Sequence, residues 1–241
     1  MPLHPKDEAT LGRAVDTLRV AFGERLVAVA LYGESAGAGY RPRRSPLDLA
    51  VVLDVLRASD LRTLRPYVGG WHRRRVSTPL LMDPAYLAGS RDAFPLEFVE
   101  LRDHHRMLHG RAELFTEIDV HADHLRLELE EQAKGKLLHL REAYLGLGRS
   151  NRGLRRLLLE TPATFHVILR GLLALRDVPR PDDPSGVLRA VEQHFGLSLP
   201  TLHRLERVRA GGDALGGGEL ESVFERYLDE VAAIAQATDG L

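Results

Sequence analysis

Residues 26–54 read LVAVALYGESAGAGYRPRRSPLDLAVVLD, and their interpretation decides the fold. Leu26 to Tyr32 is an apolar run and Leu47 to Asp54 is a second one that carries an acid. Runs of this length rich in Val, Leu and Ala, bounded by Gly and Pro, fit buried strands. Buried helices would need ten or more residues. Between them lies a small-residue loop, Gly33 to Ser45, with a basic turn. Gly33, Gly37 and Gly39 allow positive φ and close approach to a ligand, and Tyr40, Arg41, Arg43 and Arg44 follow as candidate anion contacts.

The segment from Leu31 to Asp54 resembles the signature of the DNA polymerase beta-like nucleotidyltransferase superfamily. In that family a strand ends in Gly-Ser, a loop of about ten residues follows, and a second strand presents Asp-x-Asp. Acids two apart on a strand share one face, so both can hold the metal ions that bridge the nucleotide phosphates. Gly33 matches the family glycine. Glu34 stands where the family has Ser, unless a one-residue insertion restores Ser35. Ser45 and Asp48 match, but the first metal acid falls on Pro46, whose side chain cannot coordinate a cation. The third family acid maps onto Glu97, within PLEFVEL at Pro95 to Leu101, expected as a strand. Glu100 would then face the other way.

The resemblance covers the first 115 residues or so and is nearest to a bacterial group with a helical C-terminal domain. It implies metal ligation by Asp48 and Glu97, catalysis by Asp48, Glu97 and Glu34, and nucleotide contacts from Gly33, Ser35, Ser45 and Arg44. Mg is the implied cofactor, weakly bound or lost. A nucleotide triphosphate and a small acceptor are the implied partners.

The composition sets bounds on these readings. A chain of 241 residues with 44% hydrophobic content can bury a good core as one or two domains. A net charge of -1 supplies no general attraction for nucleic acid. The absence of Cys excludes disulfides, thiolate zinc sites and a cysteine nucleophile. MPLHPKDEAT has no signal-peptide core, and no window is expected to approach the eighteen apolar residues of a membrane span. A soluble cytoplasmic protein is expected, with a homodimer left open.

Outward from the central stretch, Leu11, Val15, Leu18 and Phe22 recur at helical spacing before Gly23. Ser59 and Asp60 offer a cap for a helix expected to stop at Gly69-Gly70. Val76 to Met82 and His105 to His109 are expected as strands. The histidines at 104, 105, 109, 121 and 124 match no zinc spacing.

From His121 the periodicity is helical. Leu125 to Leu147 has a polar stripe of Glu130, Lys134 and Arg141 with two readings. It is either a solvated face with an i,i+4 pair, or a cleft wall that offers Lys134 and Arg141 to a nucleotide. Further helices are expected over Leu154–Glu160, Ala163–Leu175 after a Thr161-Pro162 cap, Val187–Phe195, Ser198–Ala210 and Leu220–Ala235. Glycines between 211 and 218 are expected to form the most flexible segment.

The expected architecture is α+β: a small mixed-sheet nucleotidyltransferase-like domain over 1–118, then an all-helical bundle over 119–241. Three functions compete: an active nucleotidyltransferase, a degenerate member that keeps a ligand or regulatory site, and an interaction module on the same scaffold.

Overall fold

The computed structural model describes residues 2–37 and 39–239, except the side chain of Glu34. The chain divides into two compact units, Met1–His121 and Ala122–Leu241. Residues 26–54 give strands β1 (Leu26–Tyr32) and β2 (Asp48–Leu53), paired antiparallel. Strand β3 (Leu80–Met82) adds parallel to β2, and β4 (His105–Gly110) adds antiparallel to β1. The sheet is mixed, in the order β3-β2-β1-β4.

Strand alternation sorts the side chains onto two faces. Val29, Leu31, Leu49, Val51 and Leu53 face helices α1 (Pro5–Phe22) and α2 (Ala58–His72), where Leu11, Val15, Leu18, Phe22, Leu64 and Trp71 complete one core. Ala28, Ala30, Ala50 and Val52 face the other way, against Met82, Leu87, Phe98, Leu101, Phe115 and Ile118. These come largely from helices α3 (Pro84–Gly89), α4 (Pro95–Asp103) and α5 (Glu113–Thr116). Three alanines leave room for that layer to pack closely. Because the period is two, Tyr32 and Asp48 share the alanine face, where Tyr32 is packed against that second core. Gly110 closes the β1–β4 ladder opposite Ala28 at φ +83, where a Cβ would collide with the Val27 carbonyl oxygen, and the register slips further along, between Val29 and Ala30, where Leu108 is the extra residue.

Several local expectations are corrected. Pro95 to Leu101 is the start of helix α4, not a strand. A short apolar run is ambiguous between the two states, and Pro95 at the helix start, with Phe98 and Leu101 three apart on the sheet-facing side, favours the helix. Helix α2 runs through Gly69 and Gly70 to His72. Each glycine costs it about 1 kcal/mol, less than burial of Trp71 returns, and the indole also stacks on Tyr67 with ring centroids 6.3 Å apart. The strand expected from Val76 shrinks to Leu80–Met82, with Val76 keeping one parallel bridge to Leu47.

The second unit is helical: α6 (Ala122–Gly146), α7 (Asn151–Glu160), α8 (Pro162–Leu175), α9 (Pro184–Phe195), α10 (Pro200–Ala210) and α11 (Leu220–Asp239). Prolines open α8, α9 and α10, where a missing N–H costs nothing. Thr161 does not cap α8 with its side chain, as its hydroxyl donates back to the Leu157 carbonyl. Nor does Ser198 cap α10. That end is served by Glu230 from α11, whose buried carboxylate accepts from the Thr201 N–H at 2.6 Å and the Leu202 N–H at 2.8 Å. Contrary to expectation, Asn151–Leu175 is apolar and long enough by composition to cross a membrane. It is broken between α7 and α8, and Leu158, Phe165, Ile168, Leu169 and Leu172 are buried within the unit.

Candidate functional site

The loop after β1 is tied down by its own polar groups. Gly33 turns the chain at φ +69, and Gly33–Ser35 form a single 3-10 turn. Ser35 is buried and donates its hydroxyl to the Pro46 carbonyl. Ser45 is buried too: its Oγ accepts the Arg41 N–H at 2.8 Å, and its carbonyl accepts from Arg75 at 2.9 Å. Tyr40 donates its hydroxyl to Asp7 at 2.6 Å. Both serines matched to the family loop thus bond within the loop itself.

Asp48 stands opposite Tyr32 in the β1–β2 register. A Cβ on Gly33 would lie 3.6 Å from its Oδ2, so the loop glycine and the strand acid adjoin. The Tyr32 phenol is pushed up to about 12, first by burial, then by the charges of Asp48 and Glu97. Both candidate acids therefore bear on one hydroxyl, although Glu97 comes from the first turn of α4 rather than from a strand. Asp48 is half-buried and Glu97 exposed.

Beside them lies a cavity of about 170 Å³, lined by Tyr32, Leu80, Met82, Tyr86, Phe94, Glu97, Phe98 and Leu101. Its wall is apolar and aromatic with one carboxylate and two phenols, a surface suited to an organic ligand with an apolar body. Tyr86 and Phe94 are 40% and 45% exposed, large apolar groups left open at its edge.

Arg44 is exposed on the loop, and only the backbone of Glu34 is described, in the turn after Gly33. Glu100 is buried in α4. Lys134 and Arg141 belong to the second unit. There Lys134 pairs with Asp239 and Glu130, which raise its pKa. Among the described residues no group of three His, Cys, Asp or Glu side chains is placed to hold a metal ion. The Pro46 carbonyl, the one oxygen at the first acid position, is taken by Ser35. The described donor set does not fit a two-metal cage.

Sequence reading missed Tyr32, Tyr86 and Phe94. Tyr32 was signalled by parity: it shares a face with Ala28, Ala30 and Asp48 and directly precedes the loop glycine. Tyr86 and Phe94 left no such signal, because their placement depends on α3 and on the turn before α4.

No family model matches the chain, and no curated protein matches its sequence. Among solved structures it is similar to a spectinomycin adenyltransferase from Enterococcus faecialis, solved with ATP and spectinomycin. The TM-score is 0.57 at 10% identity, over 93% of this chain and 99% of that one. At that identity the likeness speaks for the fold alone: an α+β arrangement like that of the solved adenyltransferase, a small mixed sheet with flanking helices and a helical region after it.

Proposed function

We propose that this chain is a nucleotidyltransferase-fold protein that binds a small ligand at the Tyr32 end of its sheet and transfers nucleotides poorly or not at all. The observation that carries the reading is Pro46. Two residues before Asp48, on the same strand face, the family chemistry needs a second carboxylate, because Mg binds through carboxylates plus substrate phosphates in strict octahedral geometry. A proline ring offers no donor, and its carbonyl already accepts from Ser35. Asp48 alone then faces the phosphates from the strand, with Glu97 reaching in from α4.

The ligand proposed for the cavity is a small molecule with an apolar body and a cationic nitrogen. The apolar wall would take the body, Glu97 the charge, and the faces of Tyr32, Tyr86 and Phe94 would favour a cation. The solved adenyltransferase, with its ATP and spectinomycin, gives precedent for a nucleotide and a small molecule on this fold. A soluble cytoplasmic setting belongs to the same proposal.

A second reading follows from the contact of Gly33 with Asp48. Glu34 comes next in the chain and would replace the missing charge, giving a loop rebuilt around a different acid. The test is transfer of labelled nucleotide from ATP and GTP with Mg, by wild type, Glu34→Gln and Asp48→Asn. Absent or trace transfer in all three supports binding without catalysis. Robust transfer lost in both variants supports the rebuilt loop. Robust transfer surviving Glu34→Gln but lost in Asp48→Asn overturns the reading of Pro46.

A further inference from the structure

A second cavity, sharing no lining residue with the first, opens where three segments meet: the first turns of α1, the turn at Arg43, and the Arg73–Arg75 turn after α2. It measures about 300 Å³, and Lys6, Arg13, Arg43, Arg73, Arg74 and Arg75 line it. One acid, Asp7, lies among them and is fully engaged. Its buried carboxylate accepts from the Tyr40 hydroxyl, the Arg43 N–H and the Arg75 guanidinium. Burial alone would raise its pKa, but these bonds outweigh it and hold the carboxyl below the usual range. Asp7 therefore stays charged, and its charge is spent on Arg75.

The other cations are uncompensated. Lys6, Arg13, Arg43, Arg73 and Arg74 are exposed and ion-pair with no carboxylate among the described residues. Like charges gathered in one concavity repel, and a chain of net charge -1 has acids enough to prevent it. The backbone adds a second observation. Arg43 and Arg75 adopt φ of 61° and 65°, a left-handed conformation unfavourable for side chains of this size. Asp7 accepts from the Arg43 backbone N–H and from the Arg75 guanidinium, which ties both turns to α1. Strained backbone kept in place by a buried anchor is a feature of ligand clamps.

We propose that this basin binds a compact polyphosphate chain, free or carried on a nucleoside. Guanidinium forks match phosphate oxygens two at a time, and five unpaired cations call for an anion of several charges rather than a monophosphate. The cations line one cavity of about 300 Å³, a volume that suits a short chain better than an extended nucleic-acid backbone.

The test is calorimetric titration of the whole chain with inorganic tripolyphosphate, ATP, orthophosphate and a single-stranded RNA, each at two salt concentrations. Arg13→Gln/Arg73→Gln leaves the Asp7 anchor intact and is expected to weaken tripolyphosphate binding about tenfold or more. Lys6→Gln/Arg13→Gln, a second pair outside the anchor, is expected to act in the same direction. Arg149→Gln/Arg152→Gln in the second unit is expected to leave it unchanged. ATP binding equal to or tighter than tripolyphosphate, lost in the same pairs, supports the proposal and assigns the chain to a nucleotide. Three results overturn it: no binding of tripolyphosphate, no preference over orthophosphate, or tighter binding of RNA than of either polyphosphate. Equal weakening by the Arg149/Arg152 pair overturns it as well.

Discussion

Ser35 donates its hydroxyl to the carbonyl of Pro46, eleven residues on, so the two loop positions at which the family signature breaks or shifts are bonded to each other. The bond gives this serine a structural task within the loop. Ser35→Ala would leave a loop carbonyl unsatisfied and is expected to cost about 1–2 kcal/mol, read as a lowered denaturant midpoint. Nucleotide affinity should stay within about twofold of wild type, a shift under 0.5 kcal/mol. A large loss of affinity with unchanged stability would instead return Ser35 to the ligand.

Tyr32 is expected to ionise late. Its phenol, raised to about 12 by burial and then by Asp48 and Glu97, should titrate above the ordinary tyrosine value of about 10 in an ultraviolet titration. Asp48→Asn and Glu97→Gln each remove a negative charge that opposes the phenolate, so each should bring the transition down. If neither moves it, the two carboxylates do not share the hydroxyl, and the site as described falls apart.

Acid should unfold the first unit by a defined route. Asp7 is held below its usual pKa by Tyr40, Arg43 and Arg75 against the cost of burial, and Asp60 chiefly by its two bonds to Arg25, both at 2.9 Å. Both folded values lie below the unfolded one of 3.8, so their contribution is present in full above that pH. It is lost as pH falls toward the folded values. Asp7→Asn and Asp60→Asn should each flatten the stability profile below pH 4, an expectation checked by chemical denaturation across about pH 2–6. Wild-type slopes in both variants would contradict it.

The strand pair was legible because its chemistry is local. Alternation in LVAVALY and DLAVVL admits one pleat, and the mixed sheet with a helical second half followed from where that pattern stops. PLEFVEL was misread because seven residues are too few to separate a strand from a short helix, and only packing of Phe98 and Leu101 against Ala28 and Ala30 decides. Asp48 and Gly33 were found by motif and do adjoin. Tyr86 and Phe94 were not found, since nothing in the chain states that α3 and the turn before α4 would meet at Tyr32. The Asp7 anchor joins residues up to 68 positions apart, beyond the reach of any local pattern.

In the second unit the buried Glu230 serves the start of α10 from a neighbouring helix. Glu230→Ala leaves two N–H groups unpaired in a dry site and is expected to cost about 2–3 kcal/mol. Thermal melting of the whole chain checks this, and a loss below about 0.5 kcal/mol would show that water replaces the carboxylate.

The most direct measurement is calorimetric titration of ATP with and without Mg into wild type, Asp48→Asn and Pro46→Asp. With a proline in place of the first acid, wild-type affinity should be the same in both conditions and unchanged by Asp48→Asn. Pro46→Asp rebuilds the strand pair and should acquire Mg-dependent binding about tenfold tighter than wild type. Wild-type binding that already tightens tenfold with Mg and loses that gain in Asp48→Asn would contradict the account.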